Sequence, residues 1–163
     1  MTAQEFCEGF VETRQALVLS TLDENGKIET STTPFAMDEG GSLYIFVSEL
    51  SQHTKNLLWL CGQDQQVVSG LLLEDEMQTE QPFARQRLSF QARVAQVNRG
   101  TKQGQKALGL MKDRFGEIID LLSGLGDFHL FALQPLEGGY VKGFGQAYRF
   151  EGCLCQNLRP VRN

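Results

Sequence analysis

The sequence lacks any long run of apolar residues. Its longest strongly apolar stretch, residues 43–47, has five residues, whereas a membrane-spanning helix needs about 18. The first 13 residues carry acidic side chains at Glu5 and Glu8 and no basic residue ahead of an apolar stretch, unlike a secretory signal. We therefore expect a cytoplasmic protein with no membrane partner.

Histidines and closely spaced cysteines are also scarce. The chain has two histidines and four cysteines, no C-x-x-C pair, and a single close pair at Cys153 and Cys155, so we do not expect a zinc site. In a reducing compartment we predict that all four cysteines are thiols. The sequence also has no glycine-rich phosphate loop, no HExxH helix and no nucleophile elbow. It therefore lacks the usual motifs of P-loop nucleotide-binding proteins, zinc metalloproteases and α/β-hydrolases.

What the sequence does have is the size of one domain with an uneven distribution of charge. It has 163 residues, of which 41% are hydrophobic, and a net charge of −5, which argues against a nucleic-acid partner. Residues 1–80 hold 14 acidic and three basic side chains, and residues 81–163 hold six acidic and 12 basic ones. Either the basic half holds a compact anionic ligand, or the two halves neutralise each other in one fold.

The N-terminal half alternates between helix and strand signals. Thr2 caps a predicted helix over residues 3–15, and strands are predicted at 16–22, 28–33 and 43–48. The Asn-Gly pair at 25–26 joins the first two strands, so we expect an antiparallel meander of three. Ser51 then caps a helix that ends near residue 60, and a buried strand follows at 65–73.

The C-terminal half adds the longest strands. A strand over 87–98 alternates until a slip near Ala95, which predicts a bulge. Thr101 caps a helix that ends at Arg114, and a second helix over 115–122 presents three apolar residues together. Strands at 128–133 and 140–150 close a single domain over residues 1–150, with a short tail at 151–163. About six antiparallel strands with segregated helices indicate an α+β fold, mainly β, that curls into a barrel.

Residues 51–56 combine polar groups at the start of a helix. Free N–H groups and the positive end of the helix dipole suit an anion there. Ser51 adds a hydroxyl, Lys55 a charge, and His53 a titratable ring or metal ligand. Alternatively, Ser51 only caps the helix and His53 is exposed to solvent.

Two basic groups lie near the ends of the long strands. Arg85 and Arg87 are two residues apart, so they share a face if both are extended and suit a carboxylate or a phosphate; the alternative is a salt bridge to the acidic loop at 74–76. Lys142 precedes Gly143-Phe144-Gly145, whose glycines mark either close approach of a ligand or a barrel corner.

Asp127 and His129 share one face of a predicted strand. An aspartate two residues from a histidine can orient an imidazole, in the same chain or in another. The alternative is an exposed pair of strand residues without a function.

Five segments, in this order and at this spacing, resemble the heme-utilisation proteins of the HutZ/HugZ type. That family belongs to the FMN-binding split-barrel group related to pyridoxamine phosphate oxidase. The resemblance covers roughly residues 14–150 and is carried by Leu-Ser-Thr-Leu-Asp at 19–23, Ser-x-His-x-x-Asn-Leu at 51–57, the acidic and Phe-Ala-Arg-x-Arg-Leu segments within 73–88, Arg-Phe-Gly-Glu-Ile-Ile-Asp at 114–120 and Val-Lys-Gly-Phe-Gly-Gln-Ala-Tyr at 141–148.

The resemblance implies a six-stranded antiparallel split β-barrel with flanking helices, which forms a homodimer with a small-molecule cofactor at the dimer interface. In the heme branch the cofactor is heme, Asp127 is the catalytic residue that polarises an imidazole across the interface, and O2 and an electron donor open the ring and free iron. In the wider group the cofactor is FMN, whose phosphate binds a Ser/Lys/Arg cluster. The cofactor-binding residues it implies are Ser51, His53, Lys55, Asn56, Arg85, Arg87 and Lys142.

The tail departs from the family pattern. The family places its iron-binding histidine there, but residues 151–163 contain no histidine. His129 is the substitute metal ligand to consider, and a thiolate from Cys153 or Cys155 is another in principle. Three functions stay open: a heme-degrading enzyme, an FMN-dependent oxidoreductase, and a heme-binding or storage protein without turnover.

Overall fold

The computed structural model describes residues 1–162, which form one sheet flanked by helices. Four α-helices lie in these residues, α1 (Ala3–Thr13), α2 (Gln52–Leu60), α3 (Lys102–Phe115) and α4 (Ile118–Ser123). The strands are β1 (Ala16–Leu22), β2 (Ile28–Pro34), β3 (Ala36–Met37), β4 (Leu43–Ser48), β5 (Val67–Leu73), β6 (Arg87–Val97), β7 (Phe128–Gly143), β8 (Gln146–Glu151) and β9 (Arg159–Pro160). None of the described helices is long and apolar enough to cross a membrane.

All strand pairings are antiparallel, in the order β2-β1-β5-β6-β7-β4-β3, with β8 also beside β7 and β9 beside β8. This confirms the mainly-β α+β class with flanking helices. Nine strands occur in the described residues instead of about six, because β3 and β9, with two residues each, are too short to leave a periodic pattern.

The predicted meander is wrong at its third strand. β1 and β2 form the expected hairpin, but β4 pairs with β3 and β7. Residues 43, 45 and 47 of β4 lie in the main core under α1 and α2, and residues 44 and 46 lie in a second core under α3 and α4. A strand that is apolar on both faces needs cover on both faces, so it lies inside the fold.

The slip in the β6 pattern has a different cause from the predicted bulge near Ala95. The register between β6 and β7 shifts instead between Gln91 and Ala92. Val94 faces the main core and Val97 faces the second core. The hydrophobic pattern therefore changes phase where α3 and α4 cover the opposite face of the strand, without an extra residue at 95.

The two predicted closing strands are wrong in their boundaries. β7 runs without a break for 16 residues through Pro135, which is tolerated because the register shift beside it interrupts the ladder. Gly143-Phe144-Gly145 is the turn between β7 and β8, where Gly145 has a φ of +66°. The glycines thus serve a hairpin, which neither sequence alternative proposed.

The prediction of four thiols is wrong for two cysteines. Cys7 and Cys155 form a disulfide across 148 residues of sequence, and Cys61 and Cys153 are free. The residues after β8 fold back against α1, and this places Cys155 beside Cys7. Spacing along the chain carries no signal for so distant a pair.

On α4, of the three apolar residues expected together, Ile119 is buried whereas Ile118 is exposed.

Two glycines of α3 allow a matched test of its packing. A Cβ at Gly104 would lie 2.2 Å from the Asn98 carbonyl oxygen, whereas a Cβ at Gly109 meets nothing within 4 Å. We expect Gly104→Ala to lower the free energy of unfolding by about 1–3 kcal/mol, and Gly109→Ala to raise it by up to about 1 kcal/mol. Urea denaturation measures both, and equal changes in the two variants would contradict the packing.

Candidate active site

The predicted site residues outside α2 lie at two ends of the β6–β7 pair. Arg87 pairs with Val141 at one end, and Val97 pairs with Leu130 at the other. At about 3.3 Å per residue, the ten-residue step between these pairs spans about 33 Å. We call the end with Arg85, Arg87 and Lys142 the basic end, and the end with Asp127 and His129 the Asp127 end. One chain does not bring these two groups together.

At the basic end the cations contact no carboxylate. Arg85 Nε donates to the Glu74 carbonyl oxygen at 2.7 Å, and Arg87 Nη1 donates to the Arg85 carbonyl oxygen at 2.8 Å. Among residues 1–162, Arg14 forms the ion pair with the acidic loop, to Asp75 at 3.6 Å, and neither Arg85 nor Arg87 forms one. Their remaining N–H groups are therefore available to an anionic ligand.

Exposed aromatic rings accompany these cations. Lys142 Nζ lies 3.7 Å from the centre of the Phe6 ring. Phe83, two residues before Arg85, is 86% exposed, and Phe144, in the turn after Lys142, is 70% exposed. We call Phe6, Phe83 and Phe144 the aromatic rim. Free cations beside exposed rings suit a ligand that is both apolar and anionic.

The polar residues of α2 point in different directions. His53 is buried, with Nδ1 2.7 Å from Ser31 Oγ, and Asn56 Nδ2 donates to Thr21 Oγ1 at 3.0 Å. These contacts fasten α2 to β1 and β2. Lys55 is exposed. Ser51 is the N-cap residue, as predicted, but its side chain makes no capping hydrogen bond. The alternative of a solvent-exposed His53 is wrong.

Burial of His53 predicts a pH dependence of stability. Burial lowers the pKa of His53, whereas the same ring in the unfolded chain binds a proton at about pH 6.5. As the pH falls below about 6.5 the unfolded state binds more protons, so the free energy of unfolding decreases until the pH reaches the lowered pKa of the folded state. His53→Asn should reduce the loss between about pH 7.5 and about pH 5.5 in urea denaturation. Equal losses in both proteins would contradict this account.

At the Asp127 end, Ser48 of β4 and Glu49 of the following turn both bind Asp127. Ser48 Oγ donates to Asp127 Oδ2 at 2.7 Å, and the Glu49 N–H donates to the Asp127 carbonyl oxygen at 3.0 Å. Within the described residues the second carboxylate oxygen, Oδ1, accepts no hydrogen bond. Asp127 is half-buried, so this oxygen is held in place and free to accept.

His129 is bound on both ring nitrogens. Its Nε2 lies 2.5 Å from Glu49 Oε1, and its Nδ1 lies 3.2 Å from Gln96 Nε2. With the Gln96 amide as donor, Nδ1 accepts and Nε2–H donates to Glu49. Asp127 and His129 therefore bond to separate partners in this chain. Sequence reasoning missed Ser48, Glu49 and Gln96, because they lie 79, 80 and 33 residues away from their partners in the chain.

Comparisons with known proteins place this geometry in a family. The family model of pyridoxamine 5′-phosphate oxidase matches residues 3–142. The chain is 41% identical over 143 residues to heme oxygenase HutZ of Vibrio cholerae, which covers 88% of this chain and 78% of that protein.

Solved structures agree with the sequence comparison. The crystal structure of HutZ from Vibrio cholerae, named there as a heme storage protein, has a TM-score of 0.77 at 33% identity and covers 94% of this chain and 97% of that one. The crystal structure of Campylobacter jejuni ChuZ has a TM-score of 0.83 at 29% identity and covers 97% and 61%. The resemblance seen in the sequence is confirmed, and the chain belongs to the pyridoxamine 5′-phosphate oxidase family, within its HutZ type.

Proposed function

We propose that this protein binds heme in heme utilisation and opens its ring to release iron. The observation that carries the proposal is the basic end, where Arg85, Arg87 and Lys142 have no carboxylate partner among residues 1–162 and lie beside the aromatic rim. The 41% identity to a protein named heme oxygenase supports it.

The residues present fit the propionates and the apolar ring of heme, but they do not provide a ligand for its iron. Arginine and lysine complement its two propionate carboxylates, and Phe83 and Phe144 complement its flat apolar ring. For the iron, His53 is buried against Ser31 and His129 is held by Glu49 and Gln96. The sulfur of Cys155 is in the disulfide, and the free thiol of Cys153 donates to the Gly40 carbonyl oxygen at 3.4 Å. The proposal therefore assigns no iron ligand from residues 1–162.

Two copies of the chain are needed to complete the site. The basic end and Asp127 lie about 33 Å apart along one β6–β7 pair, farther than a single heme reaches. A symmetric pair of chains places the same surface of each copy against the other, so the basic end of one chain can face Asp127 of its partner. We propose a homodimer with heme at this interface, which acts in the cytoplasm.

Asp127 is the residue that we assign to catalysis. Ser48 holds its Oδ2 at 2.7 Å, which leaves Oδ1 to accept a hydrogen bond from a ligand of the iron across the interface. Both histidines of the chain have other partners, so the proposal does not name that ligand; an outer carboxylate that accepts from a metal ligand orients it and raises its basicity. Bound heme supplies the ring that is opened and the iron that is released, with O2 as the oxidant and an external electron donor.

Absorption spectroscopy separates this proposal from its alternatives. Hemin added to the purified chain should give a Soret band, and a reductant in air should then replace that band with biliverdin-like absorbance. FMN added separately should give no bound flavin spectrum. A Soret band without turnover would support a storage protein instead, bound FMN would support the oxidoreductase, and no Soret band would contradict heme binding.

A further inference from the structure

A disulfide fastens the C-terminal segment, residues 152–158, to the first helix. Cys7 lies in α1 and Cys155 lies in the segment after β8, with their Cα atoms 5.5 Å apart. Both residues are buried, at 0% and 1% exposure. The link therefore joins the two ends of the domain inside its main core.

Other contacts also hold this segment, among them Leu158, which packs against the main core. Leu154 is buried in the main core, the Gly152 N–H donates to the Leu136 carbonyl oxygen at 2.7 Å, and Gln156 reaches Glu8 through an exposed hydrogen bond at 3.2 Å. Two non-glycine residues of the segment, Cys155 and Asn157, have left-handed φ angles of 69° and 51°. Such conformations persist only where surrounding contacts hold them, and the disulfide is the strongest of these contacts.

A third cysteine and a pocket lie beside the link. Cys153 is a free thiol whose Sγ donates to the Gly40 carbonyl oxygen at 3.4 Å. A Cβ at Gly41 would lie 2.7 Å from that sulfur, so a glycine is needed where the β3–β4 turn packs on Cys153. Cys153 and Cys155 line the same pocket of about 490 Å³, whose wall includes the exposed Glu39. Cys155 itself is 1% exposed, so a small solute in this pocket reaches its sulfur when residues 152–158 open locally.

We propose that Cys7 and Cys155 are a reversible dithiol–disulfide pair, which a low-molecular-weight thiol reduces through this pocket, and that reduction releases residues 152–158 from α1. The thiolate of the reductant attacks Cys155 Sγ, a mixed disulfide forms there, and Cys7 leaves as a thiolate that takes up a proton. A second reductant thiol attacks the outer sulfur of the mixed disulfide and frees Cys155. Two reductant thiols thus become one small disulfide, and the protein gains two thiols.

The rest of α1 does not depend on this link. Its N-terminus is closed by a capping box between Thr2 and Glu5, and Phe10 and Val11 are buried in the main core. A chain of this length also buries enough apolar surface to fold without a covalent staple. In a reducing compartment, such as the cytoplasm expected from the sequence, disulfides are usually transient or redox-sensing. The packing of α1 without the link and the reducing compartment both agree with a reversible disulfide.

Thiol counting and hydrogen exchange on the full chain test the proposal. After incubation with glutathione disulfide, the denatured protein should show two free thiols, at Cys61 and Cys153, and a linked Cys7–Cys155 peptide. Glutathione should restore four thiols and raise amide exchange in residues 152–158 several-fold, while α2 stays unchanged. Cys61→Ser, which removes a distant thiol, should respond as the natural chain does, apart from one thiol fewer in each count.

Cys155→Ser should show the fast exchange of residues 152–158 without any reductant. If that variant does not fold, the reduced natural chain gives the same readout. Four free thiols after glutathione disulfide, a Cys153–Cys155 linked peptide, a link that glutathione leaves intact, or unchanged exchange in 152–158 after reduction would each overturn the proposal.

Discussion

Replacing Arg85 and Arg87 together by alanine should weaken heme binding by at least about 100-fold, because each lost charge-assisted hydrogen bond contributes about 1.5–3 kcal/mol. Both guanidinium groups are oriented by backbone carbonyls, of Glu74 and of Arg85 itself, and neither is neutralised by a carboxylate in the described chain. The dissociation constant from a Soret titration measures the effect. Added salt should weaken binding to the natural chain more than to the double variant.

Arg93→Ala is the matched control for this experiment. Arg93 lies on the same strand, β6, and is exposed, but it lies six residues beyond Arg87, away from the basic end. Its loss should leave the dissociation constant within about twofold, since it removes a solvated surface charge. If Arg93→Ala and the double variant weakened binding equally, general electrostatic attraction would explain the result and the assigned propionate contacts would be wrong.

Asp127→Asn should slow ring opening by about 10- to 100-fold, the usual loss when an outer hydrogen-bond partner of a metal ligand is changed. The amide keeps the size of the side chain and removes its charge, so the heme dissociation constant should change much less than the turnover rate. Loss of the Soret band with time, under a fixed reductant and air, measures that rate.

Two further variants show whether the effect belongs to the Asp127 carboxylate. Ser48→Ala removes the hydroxyl that donates to Oδ2 at 2.7 Å, so it should slow turnover less than Asp127→Asn while heme binding is kept. Asp113→Asn removes an exposed charge of α3 and should leave turnover unchanged. Equal turnover in Asp127→Asn and the natural chain would remove Asp127 from catalysis, whereas heme binding without turnover in either protein would favour a binding or storage role.

Local signals in the sequence predicted the elements that local contacts decide. Thr2 and Thr101 accept capping hydrogen bonds at the starts of α1 and α3, and β1 and β4 have the predicted bounds. The pairing of β4 with β7, the passage of β7 through Pro135 and the Cys7–Cys155 link depend on residues far apart in the chain. Spacing along one sequence carries little information about such contacts.

The candidate site shows the same difference between residues found from local signals and residues brought together by distant contacts. The sequence singled out Arg85 and Arg87 by their place in a recognisable segment, and Asp127 by its spacing to His129 and by the resemblance. It did not single out Ser48, whose bond to Asp127 spans 79 residues. The separation of the basic end from Asp127 follows only from the pairing of β6 and β7 over their whole length, and that separation is the reason for proposing a site shared by two chains.

Mixed dimers test this requirement most directly. A chain with Arg85→Ala and Arg87→Ala and a chain with Asp127→Asn, carrying different affinity tags, are produced together, and the mixed dimers are purified by both tags. If each site combines the basic end of one chain with Asp127 of its partner, one of the two sites is intact, and turnover should recover to about half that of the natural dimer. Turnover no higher than that of either parent variant would contradict a site shared between two chains.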